Sequence, residues 1–445
     1  MESYLSIFFL IGVINLLNIE SLNLRMCKYR IDSLILTIKG LDKPFKVEQL
    51  AVGDIVISKD FDKYQYPYFR LIISIPNKIY RMMRKNYTDI SAYVRMVYAY
   101  FKTEETVGLS ERSPTEHVYL SDNFIVFMED ATPQNNTEVQ ETVEEAIQPE
   151  GVTYDPQNNT TCEILLYKQK DLNIIKQTPT AVYHNANLMD ILARYTGMVG
   201  MTKVLCSPPD NNQKVYKQFI IPPLRADEQI LRICCDYGMH KYGTTLFFDF
   251  DKTYIINKVN KCTAWVKNEY KTIYIINPTL DSEFPTVIQG CSYESADHCG
   301  YCTMSYSQAR AKSMEREQVF GGGVNIIDKK TGSYTTISPK GSYVKGGGGV
   351  SRTMTLYEGE SYTASALNQR LEEEGLVMSV TLDGADLTML APNKQYNLFF
   401  TSSKLSKYNG AYRLTNYECT FVAKDGEWFT PTVAATFVGK LPSKK

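Results

Sequence analysis

Lys217–Lys258 reads KQFIIPPLRADEQILRICCDYGMHKYGTTLFFDFDKTYIINK. An apolar strand pattern stops at Pro222-Pro223. Asp227 and Glu228 then open a helix, where the positive end of the helix dipole favours carboxylates. Ile230, Ile233, Cys234 and Tyr237 fall on one stripe at helical spacing, and Gly238 supplies the exit. Cys234 lies on that stripe, which makes it a small buried hydrophobe rather than a reactive thiol. Two accounts then compete for the strand LFFDF and the Asp251-Lys252-Thr253 that follows it. Asp249 and Asp251 are a catalytic pair, or they are the solvent-facing polar alternates of Phe248 and Phe250 near a turn, with Lys252 as charge partner.

The catalytic account is the Asp-x-Asp-x-Thr signature of haloacid-dehalogenase-type phosphatases. There the first Asp attacks phosphorus and the second protonates the leaving group, both at the end of a parallel strand leading into a helix. Here Lys252 stands where a glycine usually lets the chain turn under the phosphate. The continuation Tyr254-Ile255-Ile256 reads as a further strand, and no α/β alternation surrounds it. The strand account therefore needs fewer assumptions.

Working outward, the chain upstream is β-patterned. Short apolar runs at Ile31–Ile38, Ile55–Ile57, Phe69–Ile75, Tyr93–Lys102 and Phe124–Phe127 alternate with turn signals, as in a barrel or a sandwich. A short helix fits Asn77–Met83. Residues 129–161 are acidic, rich in Asn, Gln and Thr, and poor in apolar residues, which makes them a linker or long surface loop. Glu138, Glu141, Glu144 and Glu145 there read as a solvated charge run rather than a metal or acid–base site. Between Glu163 and the quoted stretch lies another helix: Asn187 caps it, Asp190 sits at N3, Leu188, Ile191, Leu192 and Tyr195 form its stripe, and Gly197 is its exit. Downstream, β patterning returns at 246–256 and 272–276. Residues 289–350 are irregular, with a mostly basic stretch at Arg310–Arg316. The glycine runs 321–323 and 346–349 bracket VNIIDKKTGSYTTISPK, which reads as a hairpin on flexible hinges. The stretch from Met354 to the end reads as a second compact β-domain.

A net charge of −1 over 445 residues leaves no electrostatic footprint for nucleic acid or anionic membrane. Thirty-two tyrosines against two tryptophans favour pleated surfaces and interfaces. Ten dispersed cysteines suit reduced thiols. Cys299 and Cys302 form a C-x-x-C beside His298. Completed by Cys262 or Cys291 it would be a structural zinc site; otherwise it is an incidental pair or a local disulfide. His117, His184, His240 and His298 have no nucleophile partner at recognisable spacing, and neither glycine run is a phosphate loop. No catalytic, cofactor-binding or metal-ligating residue is expected. Tyr4–Leu17 is almost wholly apolar yet, at ~21 Å as a helix, short of the ~30 Å bilayer core. Three readings of it stay open: an extension upstream of a start at Met26, a signal or anchor, or an ordered element packed on a partner. The sequons at Asn86, Asn135, Asn158 and Asn159 matter only in a eukaryotic secretory route.

Three groups of residues together resemble a known family. They are SKDFDKYQYPYFRLIISIP (58–76), FIIPPLRADEQILRICCDYG…YGTTLFFDFDKTYIINK (219–258), and SVTLDGADLTMLAPNKQYNLFF with YNGAYRLTNYECTF (379–421). In this order they look like the baseplate hub proteins of bacteriophage tails, which are related to the first half of type VI secretion spike proteins. The resemblance runs from about Tyr29 to Lys440. It implies a mainly β (α+β) fold, with two tube-like β-barrels around a small helical and loop region, and with DYGMHKYGTTLFFDFDKTYI as a helix exit followed by a strand pair.

The expected layout is an apolar extension at 1–28, a first barrel at 29–128, the acidic linker at 129–161 and an α+β middle region at 162–245. The second barrel takes 246–288 and 351–441, interrupted by the glycine-bracketed insertion at 289–350. The resemblance also implies a non-enzymatic virion protein. It would form a homotrimer whose six barrels make a pseudo-sixfold ring between the hexameric tail tube and the central spike, beside other baseplate proteins. DNA would meet it only by passage through a central channel, and stable membrane binding is not expected. A secreted or surface β-rich binding protein is the alternative from another class, with the phosphatase behind it.

Overall fold

The computed structural model describes residues 23–62, 65–102, 115–128, 153–154, 159–209, 212–240, 244–257, 271–275, 292–294, 299–303, 306–308, 323–328, 334–337, 350–356, 376–392, 394–400, 406–425 and 428–439. Most of them are strand. The apolar N-terminal run, the glycine runs apart from Gly323, and nearly all of the acidic linker lie outside the described residues.

Alternation, interrupted by register shifts in β1, β2 and β4, builds six long strands: β1 (Asn23–Ile38), β2 (Val52–Asp60), β3 (Tyr68–Pro76), β4 (Ile90–Lys102), β5 (His117–Met128) and β6 (Asn159–Lys168). Their antiparallel order is β2-β3-β6-β5-β4-β1. In β3 and β6 every second side chain (Phe69, Leu71, Ile73, Ile75; Cys162, Ile164, Leu166) is buried, and the residues between face outward. Helix α1 (Asn77–Lys85) follows β3 and buries Ile79, Tyr80 and Met83, close to the short helix expected there.

The middle region holds α2 (Gln169–Ile175), α3 (Leu188–Met198) and α4 (Ala226–Leu231) around a separate core that includes Ile191, Tyr195, Ile230, Ile233 and Cys234. Asn187 caps α3 as expected, its Oδ1 accepting from the Asp190 N–H at 2.9 Å. The exit differs: Gly197 stays helical, and the left-handed turn falls at Gly200 (φ +77°), where a side chain would be strained. After α4 a π-helical turn, Arg232–Asp236, carries the stripe to Gly238 (φ +71°). A two-stranded ribbon pairs β7 (Ala181–Ala186) with Tyr216–Ile221.

The strand pair of the LFFDF stretch runs over Thr244–Phe248 and Thr253–Asn257. The sequence assigned residues from 246 onward to the second barrel. These two strands instead join Val204–Cys206 in their own three-stranded sheet, and Lys271–Ile275 is the next to enter the large sheet. The pair is apolar on both faces. Phe247, Phe250, Tyr254 and Ile256 belong to the large core, and Leu246, Phe248 and Ile255 to the helical one.

In the C-terminal part, Leu376–Asp383, Gln395–Phe400, and the long hairpin Gly410–Asp425 with Trp428–Gly439 extend the large sheet. The hairpin's first strand pairs with β2 and its second with β1, at Tyr29↔Phe429. Hydrogen bonding therefore closes into a ring of eight strands, β2-β3-β6-β5-β4-β1 and the two hairpin strands. Residues 29–128 supply only part of it. The same hairpin carries Leu376–Asp383 and Gln395–Phe400, so one apolar core runs continuously through both strand sets. Val324–Ile327 and Tyr334–Ile337 pair antiparallel, the hairpin expected between the glycine runs; a third strand, Val350–Leu356, lies parallel to the first.

Tyrosine is used inside. Tyr29, Tyr396 and Tyr417 are fully buried, and Tyr29 packs its ring against Tyr98, Tyr119 and Phe421 while accepting from the Leu387 N–H at 2.8 Å. The tyrosine excess therefore builds the ring interior as well as surface, because a phenol fills volume and satisfies a buried donor at once.

Candidate functional site

The Asp249 turn is the most charged feature of the large core. Residues 249–252 close the strand pair, the Asp249 N–H donating to Lys252 O at 2.8 Å. Asp249 is only 6% exposed, so it is not the solvent-facing residue expected from alternation. Its Oδ1 accepts from Lys59 Nζ at 2.6 Å and from the Phe250 N–H at 2.8 Å. Lys59 projects inward from β2 in register with Ile55 and Ile57, and its ammonium lies 4.9 Å from the Phe250 ring centroid and 5.7 Å from that of Tyr417. Burial, the largest single influence, works to lower the Lys59 pKa, but Asp249, Tyr119 and Asp251 together outweigh it and hold the lysine above its ordinary range. Asp251 points away and pairs with Lys252 at 3.0 Å, half exposed. Lys252 is thus a charge partner as expected, but of Asp251 alone.

This geometry does not present a nucleophile. A phosphoryl acceptor must be open to substrate, with the acid on the same side. Here the first carboxylate is sealed in an ion pair and the second lies outside, so the turn works as a plug. Phe250 stacks on Phe69 at 4.7 Å and meets Phe124 at 6.0 Å, and Phe247 meets Phe61 edge-on at 4.6 Å. Phe61 follows the end of β2, Phe124 lies opposite Lys168 at the end of β6, and Lys168 donates to Phe250 O. Those strand ends lie opposite the end of the ring covered by α1. Helix α1 packs Ile79, Tyr80 and Met83 into the core at the β3–β6 end of the eight-stranded ring, and the Phe247–Phe250 turn packs into it from the opposite end.

Sequence reasoning passed over Lys59. Its signal was present: Ile55, Ile57, Lys59 and Phe61 share one face of β2, and a cation at an inward position demands a buried carboxylate elsewhere. His240 is a satisfied core residue, fully buried, with Nδ1 2.8 Å from Thr244 Oγ1 and Nε2 3.2 Å from Ser207 O. Cys234 is buried, as read. Cys299 and Cys302 lie on the strand Cys299–Thr303, but their side chains, with Cys262, Cys291 and His298, lie outside the described residues, as do Glu138, Glu141, Glu144 and Glu145. Among the described residues no cluster of His, Cys, Asp and Glu is arranged to hold a metal, and no helix is long and apolar enough to cross a membrane.

What the molecule offers outward is surface. On the outer face of β3, β6 and β5, Tyr68 and Tyr167 lie 5.8 Å apart and Phe127, 47% exposed, meets Tyr167 edge-on at 5.5 Å. An open groove beside them is lined by Tyr66, Tyr68, Arg70 and Tyr167. Val182 and Ile220, cross-strand partners on the two-stranded ribbon, are both exposed. Aromatic and apolar side chains in such positions suit protein–protein contact.

The fold and this surface define a β-ring scaffold. The chain matches the family model described as bacteriophage PBS1 gene 109 protein over residues 23–428, and it belongs to that family. The phage resemblance read from the sequence agrees with it. No curated protein matches the chain. Among solved structures it is similar to a tail protein from Neisseria meningitidis MC58, at 8% identity over 92% of this chain and 96% of that one, with a TM-score of 0.48. It is also similar to a 43 kDa tail protein of prophage MuSo2 from Shewanella oneidensis, at 10% identity over 91% and 97%, TM-score 0.43. A third is a Francisella PdpA–VgrG complex, at 9% identity over 95% of this chain and 54% of that one, TM-score 0.46.

Proposed function

We propose that this protein is a structural component of a phage tail, the baseplate hub, and that it works without a catalytic centre or cofactor. In this reading three copies form a pseudo-sixfold ring, each contributing two tube-like strand sets, and the ring adapts the hexameric tail tube to the central spike. Other baseplate proteins contact its periphery, DNA passes through its central channel, and it resides in the virion after assembly in the host cytoplasm. The observation that carries the proposal is the closed eight-stranded ring sharing its long hairpin with a second strand set, in a chain of a bacteriophage family. Barrels set side by side leave few free strand edges, and their outer faces supply the heterologous contacts a closed ring needs. The outward band of Tyr68, Tyr167 and Phe127 is such a face.

Electron cryo-microscopy of the purified protein and of phage particles tests it. A threefold ring with an axial channel, located between tube and spike, is the expected result. A protein that stays monomeric at high concentration, with no such ring in particles, overturns it.

A further inference from the structure

Helix α1 crosses one end of the eight-stranded ring and turns four exposed cations outward: Lys78, Arg81, Arg84 and Lys85. Among the described residues none of the four has a carboxylate partner. The helix dipole accounts for Arg84 and Lys85 in the last turn, but Lys78 occupies the first turn, where a cation is disfavoured. No acidic residue accompanies it there, and Pro76 at the N-cap offers no side-chain cap. Helix stability alone therefore does not explain the charge. An open groove along this face is lined by Asn77, Lys78, Arg81, Met82 and Lys85.

The strand register brings the chain's most acidic segment to the same end of the ring. Pro76, just before α1, lies opposite Asn159, the first residue of β6. Thr160 Oγ1 donates to Asn77 Oδ1 at 2.6 Å, tying the two together. Strand β5 stops at Met128 opposite Ile164, and Thr153–Tyr154 comes back beside Thr161 and Thr160. Residues 129–152 therefore leave and rejoin the sheet about three rungs apart, ~10 Å at ~3.4 Å per residue. The returning end is the nearer one: Tyr154 lies opposite Thr160, the residue bonded to Asn77 in the first turn of α1, whereas Met128 lies level with Leu71 of β3. The segment carries seven carboxylates between Glu129 and Glu150, and no lysine or arginine.

We propose that the outer face of α1 is a docking surface for acidic polypeptide, and that its occupant is residues 129–152 of the same chain. Tethering at both ends makes the encounter intramolecular, with an effective concentration on the order of millimolar, so individually weak exposed ion pairs suffice. The inference is independent of the hub reading, since it concerns one chain in solution.

Zero-length carbodiimide cross-linking of the full chain, read by peptide mass spectrometry, tests it. Lys39 and Asp89, an exposed pair at 3.1 Å, must cross-link in every sample as the internal standard. The expected products join Lys78 or Lys85 to carboxylates of 129–152. Their yield should drop about tenfold at ~1 M salt, where the screening length is ~3 Å, and comparably in Arg81→Glu/Arg84→Glu. Near-ultraviolet circular dichroism checks that this variant is folded; if it is not, the salt series on the natural chain still decides. In an equal mixture of light and nitrogen-15 chains the products should be unmixed in isotope. Mixed-isotope products assign the surface to a second copy and overturn the proposal. So does absence of the products while the standard forms, or their loss on adding an equimolar DNA duplex, which would assign the face to nucleic acid.

Discussion

Lys59 and Asp249 show how one buried charge pair sets what a residue can do. The interior of a small ring has room for an ammonium only if a carboxylate meets it, and the carboxylate arrives from a hairpin far away in sequence. Removing one partner strands the other charge. Lys59→Met and Asp249→Leu are each expected to lower unfolding stability by about 3–5 kcal/mol, whereas the double variant Lys59→Met/Asp249→Leu regains most of the loss. Urea denaturation of the three variants measures this, and additive losses would refute the pairing. Asp171 on α2 makes the opposite case. It is buried, its Oδ2 has no hydrogen-bond partner among the described residues, and burial, opposed by Lys168, pushes its pKa up to about 6. The folded chain therefore holds this proton more tightly than the unfolded chain does, so stability declines as pH rises from about 4 to about 6. Asp171→Asn should stabilise the protein by up to about 3 kcal/mol at pH 7 and have little effect at pH 4. Equal effects at both pH values would exclude this origin.

At the scale of the element, the long C-terminal hairpin depends on a glycine. Gly439 lies opposite Tyr412, and a Cβ added to it would come 2.5 Å from Tyr412 Cε1. The ring has little freedom to move aside, because its hydroxyl donates to Tyr408 O at 2.6 Å and its edge is buried. Gly439→Ala should cost about 1–3 kcal/mol, the penalty of overpacking a filled site. A lower denaturant midpoint with unchanged slope is the signature, and an unchanged midpoint would mean the ring swings clear. Helix α3 was readable in advance because its cap, stripe and spacing are local. Its end was misplaced by a few residues because the left-handed turn at Gly200 depends on how the chain leaves the packed helix, which spacing does not encode.

For the whole molecule, the closing strands of the first ring are the last in the chain. Loop-closure entropy must therefore be met over nearly the full length before the ring is complete. A chain ending at residue 409 loses both hairpin strands and leaves β1 and β2 as open edges. It should lack a native near-ultraviolet spectrum and aggregate by light scattering. A monodisperse, folded fragment would instead show that the first six strands stand alone.

Alternation and helical spacing, which are local, determined by themselves that this chain is mainly β with a small helical middle, and they placed β3, α3 and the 324–337 hairpin. Local pattern likewise set the chemistry of LFFDF against a phosphatase, through Lys252 and the strand at Tyr254. Only the tertiary structure decided that Asp249 is buried rather than solvated, that Lys59 is its partner, and that Gly410–Gly439 completes a ring begun at Asn23. It also decided that the LFFDF pair plugs the ring instead of joining its wall. Each of these rests on contacts between residues far apart in sequence, and a period-two pattern reports only that one face is apolar, not which distant element covers it.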